Sequence, residues 1–274
     1  MPDTQSYAFF LGANSPSGFF SLYDDLIDLK TANAVYLIKG GPGCGKSSFM
    51  RRAAEPLIAG GCTAEYIFCS SDPTSLDGIV FPELAVAFVD ATAPHVVEPR
   101  YPYITEQYIN LGVYYDTAAL APLRERAIDA FDGYRSHYAG AYRCIKAAKS
   151  ISDDIFNIAL SGASIEKLHK RARGIISREI RGKGRGAALK RRFLSSISPD
   201  GLVWKEETVG ALSRRVFEID DPFGLSHFLL SPILEAALTA RYTVYACYCP
   251  LNPEKLEHLF IPELSLSFIS TDAT

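Results

Sequence analysis

Apolar and polar positions along the chain fall into two sets of short strands separated by a long helical stretch. Apolar runs bounded by turn residues predict strands at 34–39, 64–69 and 84–90, and again at 215–219, 243–248 and 264–270. A further strand is expected near the start of each set. After the run AVYLI comes SSFMRRAAEPLIAG, whose spacing predicts a helix. Residues 117–190 carry few strand signals. ALAPLRERAIDAFDGYRSHYAGAYRCIKAAKSISDDIFNIAL is periodic and free of proline after Pro122, which predicts a helical hairpin or helical subdomain. Strands alternating with helical segments predict an α/β layered fold with a largely parallel sheet.

The two strand sets also resemble each other residue by residue. FCSSDPTSLDGIVFPELAVAF (68–88) aligns with YCPLNPEKLEHLFIPELSLSF (248–268) at a constant offset of 180. Cys69, Pro73, Leu76, Pro82, Glu83, Leu84 and Phe88 recur as Cys249, Pro253, Leu256, Pro262, Glu263, Leu264 and Phe268, and Asp77 becomes Glu257. Upstream, FFLGANSPSGF (9–19) matches RFLSSISPDGL (192–202) through Phe10/Phe193, Leu11/Leu194, Pro16/Pro199 and Gly18/Gly201. VYLI then matches VFEI, and GKSSFM matches GLSHFL. Four blocks in one order imply an internal duplication. The expected organisation is a first unit over 1–100, a helical region over 101–191 and a shorter second unit over 192–274. That last unit is either naturally short or cut short, since Thr274 is the counterpart of Pro94.

Candidate chemistry centres on GGPGCGKSS. Gly40, four intervening residues, Gly45, Lys46 and Ser47 satisfy the P-loop pattern, between a predicted strand and a predicted helix. Glycines there let backbone N–H groups turn inward, and a helix N-terminus adds its positive dipole end. Gly40, Gly41, Pro42, Gly43, Cys44, Gly45, Lys46, Ser47 and Ser48 are therefore the expected nucleotide-binding residues. Lys46 would reach the β- and γ-phosphates, and Ser47 would help hold Mg²⁺. LAVAFVD ends on Asp90, the expected metal- or water-orienting acid, with a turn-capping role as the alternative. Asp72 and Asp77 are further candidates in the SSDPTSLDG loop, but Asp77 recurs as Glu257, which points to a structural role. His95 reads as a loop histidine. Cys44 reads as a small filler residue, with a redox-sensitive thiol as the alternative.

The second loop, DDPFGLSHF (220–228), is expected to be degenerate. Ile38 to Gly45 spans seven positions but Ile219 to Gly224 only five, Leu225 replaces the lysine, and Ser270 stands where Asp90 stood. Asp220 and Asp221 put negative charge where phosphate would sit.

The segments FFLGANSPSGF, YLIKGGPGCGKSSFM, CSSDPTSLDGIVFPEL, VDATAPH, AYRCIKAAKSISDD, RFLSSISPDGL and CPLNPEKLEHLFIPEL resemble a family of tandem P-loop ATPases found largely in spore-forming Gram-positive bacteria and their relatives. The resemblance spans nearly the whole chain. It implies a P-loop NTPase-like three-layer fold in tandem and nucleotide binding through Gly40 to Ser48, with no particular substrate. The chain departs from the family at 220–227, where members keep a better-formed second loop.

Charge adds one feature. The chain has 274 residues, a net charge of −3, 48% hydrophobic content and six cysteines with no CxxC pair, as expected of a cytoplasmic protein with free thiols. No apolar run is long enough for a membrane span. KLHKRARGIISREIRGKGRGAALKRR (167–192) nevertheless carries eleven Lys or Arg and one acid. It reads as a solvated basic linker, a contact for nucleic acid or an acidic partner, or a source of arginines for a bound triphosphate. The absence of an N-K-x-D or T-K-x-D stretch favours ATP over GTP. The expected function is a Mg²⁺-dependent ATP-binding, switch-like or regulatory ATPase using Lys46 and Asp90. One alternative is a small-molecule or nucleotide kinase that uses the helical region as acceptor site, with Arg100, Arg124 and Arg126 near the phosphoryl group. The other is a nucleic-acid-associated protein that uses the basic stretch.

Overall fold

The computed structural model describes residues 6–271, which form a mixed α/β protein. In chain order the strands are β1 (Tyr7–Phe10), β2 (Gly12–Ser15), β3 (Gly18–Ser21), β4 (Ala34–Lys39), β5 (Glu65–Phe68), β6 (Leu76–Phe81), β7 (Val86–Asp90) and β8 (Glu106–Asn110). They continue as β9 (Leu189–Arg192), β10 (Ser195–Ser198), β11 (Gly201–Trp204), β12 (Arg215–Asp220), β13 (Val244–Cys249), β14 (Asn252–Ile261) and β15 (Leu266–Thr271). The helices are α1 (Lys46–Ala59), α2 (Thr117–Leu120), α3 (Arg124–Gly162), α4 (Ile165–Glu179), α5 (Glu207–Leu212) and α6 (His227–Thr239).

Two larger sheets organise the molecule. The first has the order β1-β5-β6-β7-β4-β8, and the second the order β12-β15-β14-β13-β9. β1 pairs with β5, and β4 with β7 and β8, in parallel; β6 is antiparallel to both neighbours. In the second sheet β12/β15 and β13/β9 are parallel, and β14 is antiparallel to both neighbours. Taken from the outer edge inwards, β9-β13-β14-β15-β12 thus has the strand order and directions of β1-β5-β6-β7-β4. In each half a hairpin pair follows the sheet's first strand, β2/β3 after β1 and β10/β11 after β9.

The sheets are mixed rather than largely parallel because β6 and β14, neither expected as a strand, run antiparallel to both neighbours. SSDPTSLDG reads as a turn, yet pairing starts at Leu76 and resumes at Gly78, with Asp77 left at a bulge between them. The glycine answers to packing, not to a turn. A Cβ on Gly78 would lie 3.1 Å from the Phe88 carbonyl oxygen and 3.4 Å from Ile67 Cβ, so a side chain there would press the flanking strands apart by a few tenths of an ångström.

Alternation along the strands assigns the faces. On β4, Val35 and Leu37 enter one core while Ile38 joins Met50 and Ala54 of α1 in another. The second sheet packs its outer face against α6 and α4, with Leu230, Ile233 and Ala172 fully buried there. The inner faces share one core, in which Phe9, Leu37 and Val89 of the first half meet Tyr245, Phe260 and Ile269 of the second. Where the sheets join, Phe10 and Phe193 exchange both backbone hydrogen bonds at 2.9 Å. α3 is 39 residues long, about 58 Å, and buries no residue; Tyr142 Oη ties it to Asn14 Oδ1 at 3.2 Å. No helix among the described residues is long and apolar enough to cross a membrane.

Candidate functional site

The glycine loop leaves the C-terminal end of β4, the strand paired on both sides by β7 and β8, and runs directly into α1. Gly43 and Gly45 have φ of 75° and 88°, backbone that side chains rarely adopt, and Gly45 is the N-cap of α1. The amides of Gly43, Gly45, Lys46 and Ser47 have no acceptor among the described residues. A row of inward amides at a helix N-terminus is an anion-binding feature. Lys46 Nζ folds back over the loop, donating to the Gly40 and Gly41 carbonyls at 2.7 and 3.0 Å, and lies 3.4 Å from Asp90 Oδ2. Ser47 Oγ accepts from Leu76 N at 3.0 Å. Ser48 follows within α1, and Cys44 Sγ fills the space a Cβ on Gly40 would need.

Asp90, at the end of β7, is 9% exposed, and its Oδ1 accepts from Thr92 N at 2.9 Å. It therefore combines the turn-capping role with a place beside Lys46. Thr92 Oγ1 donates to the Gly40 carbonyl at 3.1 Å, tying this turn to the glycine loop. Lys39 Nζ donates to the carbonyls of Ala91 and Val97 at 2.8 and 3.3 Å and fixes the segment that follows.

That segment brings in two residues to which sequence gave structural roles. Asp77, Asp90 and His95 are 5%, 9% and 6% exposed, and one potential ligand atom from each lies within 4.8 Å of the others. Asp77 Oδ2 accepts from Tyr23 Oη at 2.9 Å, and His95 Nε2 lies 3.6 Å away from it. Burial pushes the Asp77 carboxyl above its ordinary range, against the opposing pull of His95 and Tyr23. Burial likewise pushes the neighbouring Cys69 thiol up to about 12, so it is an inert neutral group. Asp72 is apart from this cluster: its Oδ1 accepts from Thr74 N at 3.1 Å and closes its own turn.

Tyr115 gave no sequence signal. Its hydroxyl donates to the Pro42 carbonyl at 2.9 Å and would meet a Cβ on Gly41 at 2.8 Å, so the ring lies against the glycine loop. Arg100 is paired with Asp24 at 2.5 Å, and Arg124 and Arg126 are exposed at the start of α3. The basic stretch divides. Arg192 is fully buried on Glu65, while Lys167, Lys170, Arg171, Arg173 and Arg178 lie exposed on α4.

The second loop differs in one decisive respect. Asp221 Oδ1 and Oδ2 accept from Leu225 N and Ser226 N at 2.6 and 2.7 Å, so the protein's own carboxylate occupies the amides ahead of α6. Lys255 lies against Gly224, where a Cβ would run into its Nζ. Ser270 Oγ, in place of a carboxylate, donates to the Glu257 carbonyl at 2.7 Å. A cavity of 540 Å³ adjoins this loop, walled by α3, Trp204 and Cys249. No family model, curated protein or solved structure matches this chain.

Proposed function

We propose that the chain is a Mg²⁺-dependent ATP-binding protein of the P-loop class, internally duplicated, with one live site and one closed one. The observation that carries this reading is the contrast between the two loops. In the first, the amides of Gly43, Gly45, Lys46 and Ser47 lack acceptors among the described residues and a lysine stands beside them. In the second, Asp221 takes up the equivalent amides and the lysine position is Leu225. The matching strand order of the two sheets supports the duplication.

In this reading the loop amides receive the β-phosphate, and Lys46 exchanges two carbonyl partners for phosphate oxygens. Ser47 and Asp90 offer a hydroxyl and a carboxylate, hard oxygen donors suited to Mg²⁺, which supplies charge neutralisation between the β- and γ-phosphates. Tyr115 leaves Pro42 or turns aside to admit the nucleotide. The kinase reading stands as the alternative, since Arg100 is held only in an exposed pair with Asp24, a weak tie, and Arg124 and Arg126 are exposed.

The test is calorimetric titration of wild type and Lys46→Ala with Mg·ATP and Mg·GTP. One ATP per chain is expected, weakened about 10- to 100-fold in the variant by loss of a charged hydrogen bond of about 1.5–3 kcal/mol. A wild-type protein that binds neither nucleotide overturns the reading.

A further inference from the structure

We propose that Asp77, Asp90 and His95 form a divalent-cation site that fills without nucleotide and prefers imidazole-accepting cations such as Mn²⁺, Co²⁺ or Zn²⁺ to Mg²⁺. It rests on the reading of Asp90 as a metal-holding residue, but requires no bound triphosphate.

Three separate segments converge to make the cluster. Asp77 is the second residue of β6, Asp90 closes β7, and His95 lies in the turn beyond. Their ligand atoms fall within 4.8 Å of one another, and all three residues are at least nine-tenths buried. The imidazole is the informative member. Its Nδ1 has no hydrogen-bond partner, and its Nε2, turned towards the cluster, stands 3.6 Å from Asp77 Oδ2, beyond a hydrogen bond. A buried imidazole without partners is costly, so each instance asks for an explanation. A metal bond at Nε2 would give the ring a partner on the side that faces the cluster, while Nδ1 stays unpaired.

Charge and orientation agree. Two buried carboxylates this close repel, and Lys46, 3.4 Å from Asp90, offsets only one of them. A divalent cation would balance both. Tyr23 Oη holds the Asp77 carboxylate at 2.9 Å, as an outer partner that orients a ligand. The Tyr23 ring also stacks on His95 with centroids 4.8 Å apart and planes at 16°, fixing the imidazole. Two carboxylate oxygens and one nitrogen suit first-row transition cations better than Mg²⁺, which favours oxygen and retained water. Lys46 faces Asp90 as a like-charged competitor, so its removal should tighten cation binding.

The experiment uses the full chain, stripped with a chelator and free of nucleotide. Mn²⁺ is titrated by following the free-ion paramagnetic resonance signal. One Mn²⁺ per chain is expected, with tenfold or greater weakening in His95→Ala and Asp77→Asn and tighter binding in Lys46→Ala. Bound Mn²⁺ in the wild type should show coupling to an imidazole nitrogen, a readout that does not depend on any variant folding. Absence of Mn²⁺ binding, absence of nitrogen coupling, or unchanged binding in a folded His95→Ala protein each overturns the site. Mg·ATP titration of the wild type is run alongside. Mn²⁺ binding without ATP binding sinks the nucleotide reading alone, and ATP binding without Mn²⁺ binding sinks the cation site alone.

Discussion

Asp77 shows how a single side chain can be costly to the fold. Its carboxyl is buried, and burial outweighs His95 and Tyr23 in raising its proton affinity. The folded chain therefore holds this proton more tightly than the unfolded chain does. Stability from the group is complete below the ordinary carboxylate range and is lost as pH rises through the raised value. At neutral pH the ionised carboxylate is a net cost, the usual position of a group kept for a ligand rather than for packing. Asn can still accept from Tyr23 but carries no charge. Asp77→Asn, measured without divalent cations, should therefore raise the thermal midpoint at pH 7 by about 2–4 °C per kcal/mol relieved. The gain should fade below about pH 4, where Asp77 is protonated in both states. Destabilisation at pH 7 that disappears at the low pH would mean that the charge is stabilising after all.

At the scale of elements, the two strand-loop-helix units differ in what caps the helix. α6 begins on amides held by Asp221, a pair of charge-assisted hydrogen bonds at 2.6 and 2.7 Å. Asp221→Ala should cost about 1–2 kcal/mol in denaturant titration, as loss of such a cap does. It should not create a nucleotide site, because Leu225 still replaces the lysine. A calorimetric titration of Asp221→Ala combined with Lys46→Ala checks this, and ATP binding by that double variant would contradict it. The glycine loop, Lys46, Ser47, Asp90 and the acidic pair at 220–221 were legible in the sequence because their chemistry is local and each follows an apolar strand. Asp77 and His95 were not. Their role depends on β6 threading between β5 and β7, and on a turn folding back beside Asp90, contacts that no spacing along the chain encodes. β6 itself was hidden by an acid and a glycine, which read as a turn until Gly78 is seen between two strands. Tyr115 is similar: its place over Pro42 follows from β8 lying beside β4, a pairing of sequence-distant segments.

Across the whole molecule the two sheets are joined by more than apolar surface. Glu65 of β5 and Arg192, at the end of β9, are both fully buried and meet at 2.6 Å. Arg192 also donates to the carbonyls of Asp25, Arg191 and Leu26 at 2.8, 2.8 and 3.3 Å. Tyr7 and Tyr245 share a hydroxyl hydrogen bond at 2.7 Å close by, and burial holds Lys190 below its ordinary value despite Glu65. A basic stretch that looks like a surface feature in sequence thus ends inside the seam. Glu65→Ala would leave the guanidinium buried with neutral acceptors alone, at a cost of about 3–5 kcal/mol. Replacing both partners, as Glu65→Leu with Arg192→Met, removes the buried charge altogether and should recover most of that loss. Because the inner faces share one core, heat should unfold wild type in one transition, and Glu65→Ala should move that transition down without splitting it. Two separate transitions in the variant, read by calorimetry, would show that each sheet with its helices stands alone and that the seam is only a contact between them.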